Sequence, residues 1–166
     1  SDKYGSFSFR TLKSPEIIYD GNTGIARTYR NIVIVDSNVT IKASRGVYNT
    51  NNYIADFEDK VEITDASVTI TSNKAKYNRQ TLESDASGNV VIDDDSARIF
   101  SDYLHYNRNT KESRNYGNVV VKGKFSNVYL TGDTLINFPD KRYSYSTGKP
   151  VFFQIDTVRD DDSERF

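Results

Sequence analysis

Residues 105–121, HYNRNTKESRNYGNVVV, restate residues 76–92, KYNRQTLESDASGNVVI, with identity at ten of seventeen positions. A period of 29 residues runs well beyond these two segments. Tyr19, Tyr48, Tyr77 and Tyr106 fall in one column, followed by Asp20, Asn49, Asn78 and Asn107. Asx side chains bond their own backbone two residues on, so each tyrosine is expected to precede a turn. Ile34, Ile63 and Ile92 lead to Val121 at the same spacing; Ile32, Val61, Val90 and Val119 form the column two residues before. Leu12, Ile41, Ile70 and Ile99 form a third, with Val39, Val68 and Ala97 two residues ahead of it. After Val121 the spacing becomes 31: Asp102, Leu104 and Gly117 find partners in Asp133, Leu135 and Gly148, which puts a two-residue insertion in KGKFSN, 122–127. Fixed self-similarity of this length is the mark of a repeat architecture. The copies run about 1–29, 30–58, 59–87, 88–116 and 117–147, with a partial copy over 148–166, and together they are expected to form one domain of 166 residues.

Within a copy, apolar and polar residues alternate, as in Val61-Glu62-Ile63 and Val68-Thr69-Ile70. Period two means strands with one buried face, and no segment carries a helical stripe. The Val, Ile and Tyr content, with few Gly and Pro, fits strands. Polar stretches such as VDSN, TDAS and DDDS mark the turns between them. The inward phase at 97, 99 and 101 gives way to 104 and 106, a jump that implies a bulge or sharp bend. Small residues recur beside it in two columns: Ser14, Ala43, Ser72, Ser101 and Gly132, and Ala26, Ala55, Ser84, Ser113 and Ser144. Bent strands with a crease are expected. Burying one Val or Ile is worth roughly 1.5–3 kcal/mol, while ordering the backbone costs about 1–2 kcal/mol per residue. A copy with about five such positions cannot fold alone, so neighbours must share a core and both ends of the array should present strand edges.

Periodicity leaves two architectures open: a parallel β-helix, with one coil per copy, and an antiparallel β jelly roll, with one hairpin per copy. The succession GNVVI, ARIFSDYLHYN, GNVVV and VYLTGDTL, over about Lys13 to Ile155, resembles the OstA-like lipopolysaccharide-transport family, which includes LptA, LptC and the N-terminal periplasmic domain of LptD. The resemblance implies a jelly roll of V-shaped strands, open at its ends, that holds lipid A acyl chains inside. It further implies a periplasmic location in a Gram-negative bacterium, associated with the outer membrane. The implied partners are lipopolysaccharide and other OstA-like domains, or copies of the same chain, joined by edge-strand pairing. The family's interior positions carry over to Ile32, Ile34, Ile41, Val61, Ile63, Val68, Ile70, Val90, Ile92, Ile99, Val119, Val121 and Leu130. The competing account of those columns is a closed, self-filled core. Phosphorylated sugars attract cations, and Arg79, Arg108, Lys111, Arg114, Lys141 and Arg142 follow the tyrosine column, whereas Asp36, Asp65 and Asp93 to Asp95 occupy the opposite turns.

Other function classes find less support. The net charge of −1, from 22 Lys+Arg and 23 Asp+Glu, provides no field for nucleic acid. Without Cys, and with His105 the single histidine and out of phase with the apolar faces, thiolate sites, nucleophilic triads and histidine metal centres lack their usual parts. IDDDSARI could supply carboxylates to calcium, as in a β-helical polysaccharide-active enzyme, but it sits where every copy has a polar turn. No enzyme activity, metal or cofactor is expected. A self-assembling scaffold or adhesin would need only repeats and open edges. The absence of Met and the charged tail VRDDDSERF, which interrupts a new copy, suggest a piece of a longer array.

Overall fold

Alternating side chains can bury only one face of a strand, and this chain satisfies that condition by pairing every strand with its neighbours and folding the resulting sheet across its middle. The computed structural model describes residues 9–36 and 38–156. The first three bent strands are each broken in two: β1 (Phe9–Lys13) with β2 (Ile18–Asp20), β3 (Ile25–Thr28) with β4 (Ile32–Asp36), and β5 (Val39–Ala43) with β6 (Arg45–Asn49). Six long strands follow: β7 (Ile54–Thr64), β8 (Val68–Asn78), β9 (Glu83–Asp94), β10 (Ala97–Asn107), β11 (Ser113–Gly123) and β12 (Val128–Phe138). A 3-10 turn over Pro139–Lys141 leads to β13 (Tyr143–Thr147) and β14 (Val151–Gln154), again two halves of one bent strand. All pairings are antiparallel within one open sheet. The fold is the antiparallel jelly roll of V-shaped strands, not the parallel β-helix.

The sheet has two arms. In one, the register runs Leu12, Ile34, Ile41, Ile63, Ile70, Ile92, Ile99, Val121, Leu130, Phe152, each residue opposite the next. In the other it runs Tyr19, Ala26, Tyr48, Ala55, Tyr77, Ser84, Tyr106, Ser113, Asn137, Ser144. The sequence columns thus become straight cross-strand rows, and the two rows face each other across the core. Alternation in the second row is steric: each buried ring has a one- or two-atom side chain as its cross-strand neighbour. The column Ala26, Ala55, Ser84, Ser113 therefore makes room for tyrosines near the strand tips and does not mark the bend. The other small column does, since register breaks between Ser101 and Tyr103 and between Thr71 and Lys74.

On the returning strands the bend is made by two successive residues in the left-handed region: Asp59 and Lys60, Gly88 and Asn89, Gly117 and Asn118, Gly148 and Lys149. Two such residues reverse the pleat and turn the strand out of plane. Across the crease, fifteen residues earlier, stand Ser44, Asn73, Asp102 and Asp133. Every pair holds one Asx side chain and one small residue, because a Cβ at Gly88 or Gly117 would meet Asn73 or Asp102 at 2.7 or 2.5 Å.

Candidate functional site: the trough between the arms

The turns build the rim of the trough. On the tyrosine arm, Asn78 Oδ1 accepts the backbone N–H groups of Gln80 and Thr81, and Asn107 Oδ1 those of Asn109 and Thr110. Arg79 and Arg108 begin these turns, and their own N–H groups donate to Tyr53 O and Leu82 O, which ties each turn to the one before. On the other arm, Asp65 and Asp94 close equivalent turns by accepting from Val68 N and Ala97 N. Acidic turns therefore face basic turns across the mouth of the V.

The first rung is closed. Asp36 and Arg79, from opposite arms, pair at 3.8 Å with side chains only 8% and 14% exposed. One period on, Asp65 and Arg108 border a residual space of about 10 Å³ with Tyr77 and Tyr106. The hydroxyls of both tyrosines are buried without a hydrogen-bond partner among the described residues. Burial raises the Tyr77 phenol above its ordinary value, as does the Asp36 carboxylate, against the pull of Arg108. Burial and then Asp65 push Tyr106 up to about 12 from 10.0, with Arg108 opposing. The folded chain thus holds this proton to higher pH than the unfolded chain. Its stability contribution is intact below about pH 10 and is lost as pH rises toward about 12. Tyrosinate ultraviolet absorbance is expected to show late-ionising tyrosines in the folded protein, with alkaline unfolding in that window; a full complement ionising at the ordinary value would contradict the buried placement.

At the third period the mouth opens. The two-residue insertion places Asn137 in the tyrosine row and Pro139 where Arg79 and Arg108 stand in earlier copies. A groove of about 340 Å³ lies there, with Val68, Ile92, Ile99 and Tyr106 inside and Asp94, Asp95, Lys111, Asn137 and Pro139 around it. The inner row beneath stays buried as far as Ile99, with Ile34 and Ile41 1% and 0% exposed and Ile63 and Ile99 both 7%, while Phe152 at its end is 67% exposed.

Of the inner-face positions carried over from the family resemblance, Ile32, Ile34, Ile41, Val61, Ile63, Ile70, Val90, Ile92, Ile99 and Val119 belong to the buried cluster. Val68, Val121 and Leu130 are partly buried against it. Six cations suggested for headgroups do not converge. Arg79 is held by Asp36, Arg108 borders the tyrosines, Lys111 is on the open groove, and Arg114 pairs with Glu112 at 2.7 Å. Lys141 Nζ lies 5.1 Å from the Phe138 ring centre, and Arg142 ends the 3-10 turn in a left-handed conformation. In IDDDSARI, Asp93 pairs with Arg98 and Lys124 while Asp94 closes its turn. Among the described residues no group of three or more His, Asp or Glu is placed to hold a metal. His105 faces outward as its phase requires, yet it is not idle, because its Nδ1 and the Tyr103 hydroxyl both contact Asp85 Oδ1. Among the described residues no helix is long and apolar enough to cross a membrane.

The cross-mouth ion pair was not visible in the sequence, since Asp36 and Arg79 are 43 residues apart on separate arms. The columns did contain a signal: acid and base recur at one spacing. A family model described as OstA-like protein matches residues 10–95, 86 of the 166 residues. No curated protein matches the chain.

Proposed function

The chain belongs to the OstA-like family of lipopolysaccharide-transport domains, and on that premise we propose that its trough carries the acyl chains of lipid A between the two arms. Family members work in the periplasm of Gram-negative bacteria, in transport and binding and not in catalysis. The observation that supports the reading is the unbroken inner apolar row from Leu12 to Phe152, sealed at Ile41 and exposed at its far end. An acyl chain laid on that row gains roughly 0.8 kcal/mol per methylene removed from water, with no polar contact needed. The thirteen inner-face residues named above form the lipid path, while Lys111, at the open groove, is the cation best placed for a phosphorylated headgroup.

The array ends also suit a bridging role. Among the described residues β1 and β2 each pair on one side only, as do β13 and β14. Beside the second pair, Tyr143, Tyr145, Val151, Phe152 and Ile155 are 49–67% exposed. Unpaired edges of this kind accept a further strand, so the domain, read as one unit of about 29-residue copies, joins other OstA-like domains or copies of itself. A scaffold that polymerised without lipid would have no use for a groove that opens onto the inner row.

The test is photocrosslinking to purified lipopolysaccharide from Ile99, on the inner face, and from Arg98, its outward neighbour paired with Asp93. Strong crosslinking at 99 with little at 98 is expected. Equal or absent crosslinking in a folded protein would favour the closed scaffold.

A further inference from the structure

Resting on that lipid-carrying reading, we infer that the mouth of the trough is clasped by the Asp36–Arg79 ion pair at the first rung, filled by Tyr77, Tyr106 and Arg108 at the second and open at the third, so that lipid enters sideways at the third rung and reaches the remainder of the trough only when the clasp releases.

Three observations support this. Asp36 and Arg79 join the tips of opposite arms and are nearly buried, so they close the mouth where they stand. Asp65 and Arg108 occupy the same columns 29 residues on and border the space that Tyr77 and Tyr106 fill, but they form no ion pair with each other, and Asp65 Oδ1 accepts from Ser67 N and Val68 N of its own turn. At the next copy the acid persists as Asp94, its carboxylate turned to its own backbone as that of Asp65 is, but the residues opposite are Asn137 and Pro139. Ring and guanidinium are lost together at this rung. The space they vacate is the groove of about 340 Å³, whose inner wall includes Ile92 and Ile99 of the apolar row. It is therefore continuous with the sealed section. Breaking the Asp36–Arg79 clasp leaves a poorly solvated charge unless both partners swing out to water, so the closed half has two discrete states.

The experiment places a compact diazirine-bearing amino acid at Ile99, inside the open rung, or at Ile34, behind the clasp, and adds purified lipopolysaccharide. A minor open state is typically ~0.1–10% populated, so crosslinking at 34 is expected to be at least about tenfold below that at 99. Asp36→Asn, or Arg79→Gln, should raise crosslinking at 34 toward the level at 99. The charge swap Asp36→Arg with Arg79→Asp should restore the difference. In the opposite direction, Asn137→Tyr with Pro139→Arg, both at the rim, should restore ring and guanidinium to the third rung and slow labelling at 99 several-fold. Circular dichroism of each variant checks folding, and the rim variant tests the inference even where the Asp36 variants do not fold. Equal crosslinking at 34 and 99 in the unaltered chain, or no effect of the rebuilt rung, overturns the clasp and leaves lipid carrying in place. No crosslinking at either position in any variant overturns both.

Discussion

Phe57→Ala is expected to lower unfolding stability by about 3–5 kcal/mol, the range for deleting a fully buried aromatic ring. Phe57 is 1% exposed, and its cross-strand neighbours are Gly46 and Ala75. A Cβ at Gly46 would stand 3.2 Å from the Phe57 ring, so the ring itself fills the space that the glycine leaves. Neither neighbour has a side chain that can swing into the hole, which places the loss toward the upper end of that range. Phe100→Ala is the control. That ring lies on the outward face, 37% exposed, and its removal should cost far less. Denaturant unfolding of the two variants measures the difference; equal losses would mean that the crease is not the tight centre of the core.

Gly117→Ala is expected to cost about 1–3 kcal/mol from the backbone alone, because φ at Gly117 is +77°. Steric displacement adds to that figure. The new methyl would lie 2.5 Å from Asp102 Oδ2, the atom that accepts from Asn118 Nδ2 at 2.8 Å. Asp59 is the equivalent residue one pair of copies earlier and keeps its side chain at φ 66°, with Ser44 across from it. The crease accommodates one Asx side chain from either strand. Gly117→Asp combined with Asp102→Ser should therefore recover part of the stability that Gly117→Asp alone removes. Thermal unfolding of Gly117→Asp, Asp102→Ser and the double variant tests this, and strictly additive losses would show that the pairs are not complementary.

Much of this was legible from spacing. Columns 29 residues apart announced straight rows, which here arise because each copy adds two antiparallel strands in constant register, and the phase jump between Ser101 and Leu104 located the bend. What periodicity could not tell was which small residues form the bend. Ala55 and Ser84 are small because Tyr48, Tyr77 and Tyr106 lie beside them, whereas Ser101 is small because the strand turns there. Sequence also hid the outward apolar residues. In GNVVI and GNVVV the second valine, Val91 or Val120, stands opposite Phe100 on the solvent side, so a continuous apolar run covered two faces of opposite character. The buried ion pair was the least accessible feature. Charged residues in polar turns are ordinarily solvated, and only the closing of the two arms brings Asp36 to Arg79.

The row geometry makes the trough a ruler. Each copy contributes two strands, and neighbouring strands stand ≈ 4.7–4.9 Å apart, so every additional copy lengthens the conduit by roughly 9–10 Å and leaves the existing rows undisturbed. Reach is thereby set by copy number, in whole steps. A gene that gains or loses 29 codons at a turn changes how far the domain extends without redesigning its interior, while a change of one or two residues inside a strand would throw every later row out of line. The two extra residues of this chain lie within 122–127, at the end of β11 and in the turn that follows it, where the count can change and the ruler stays true.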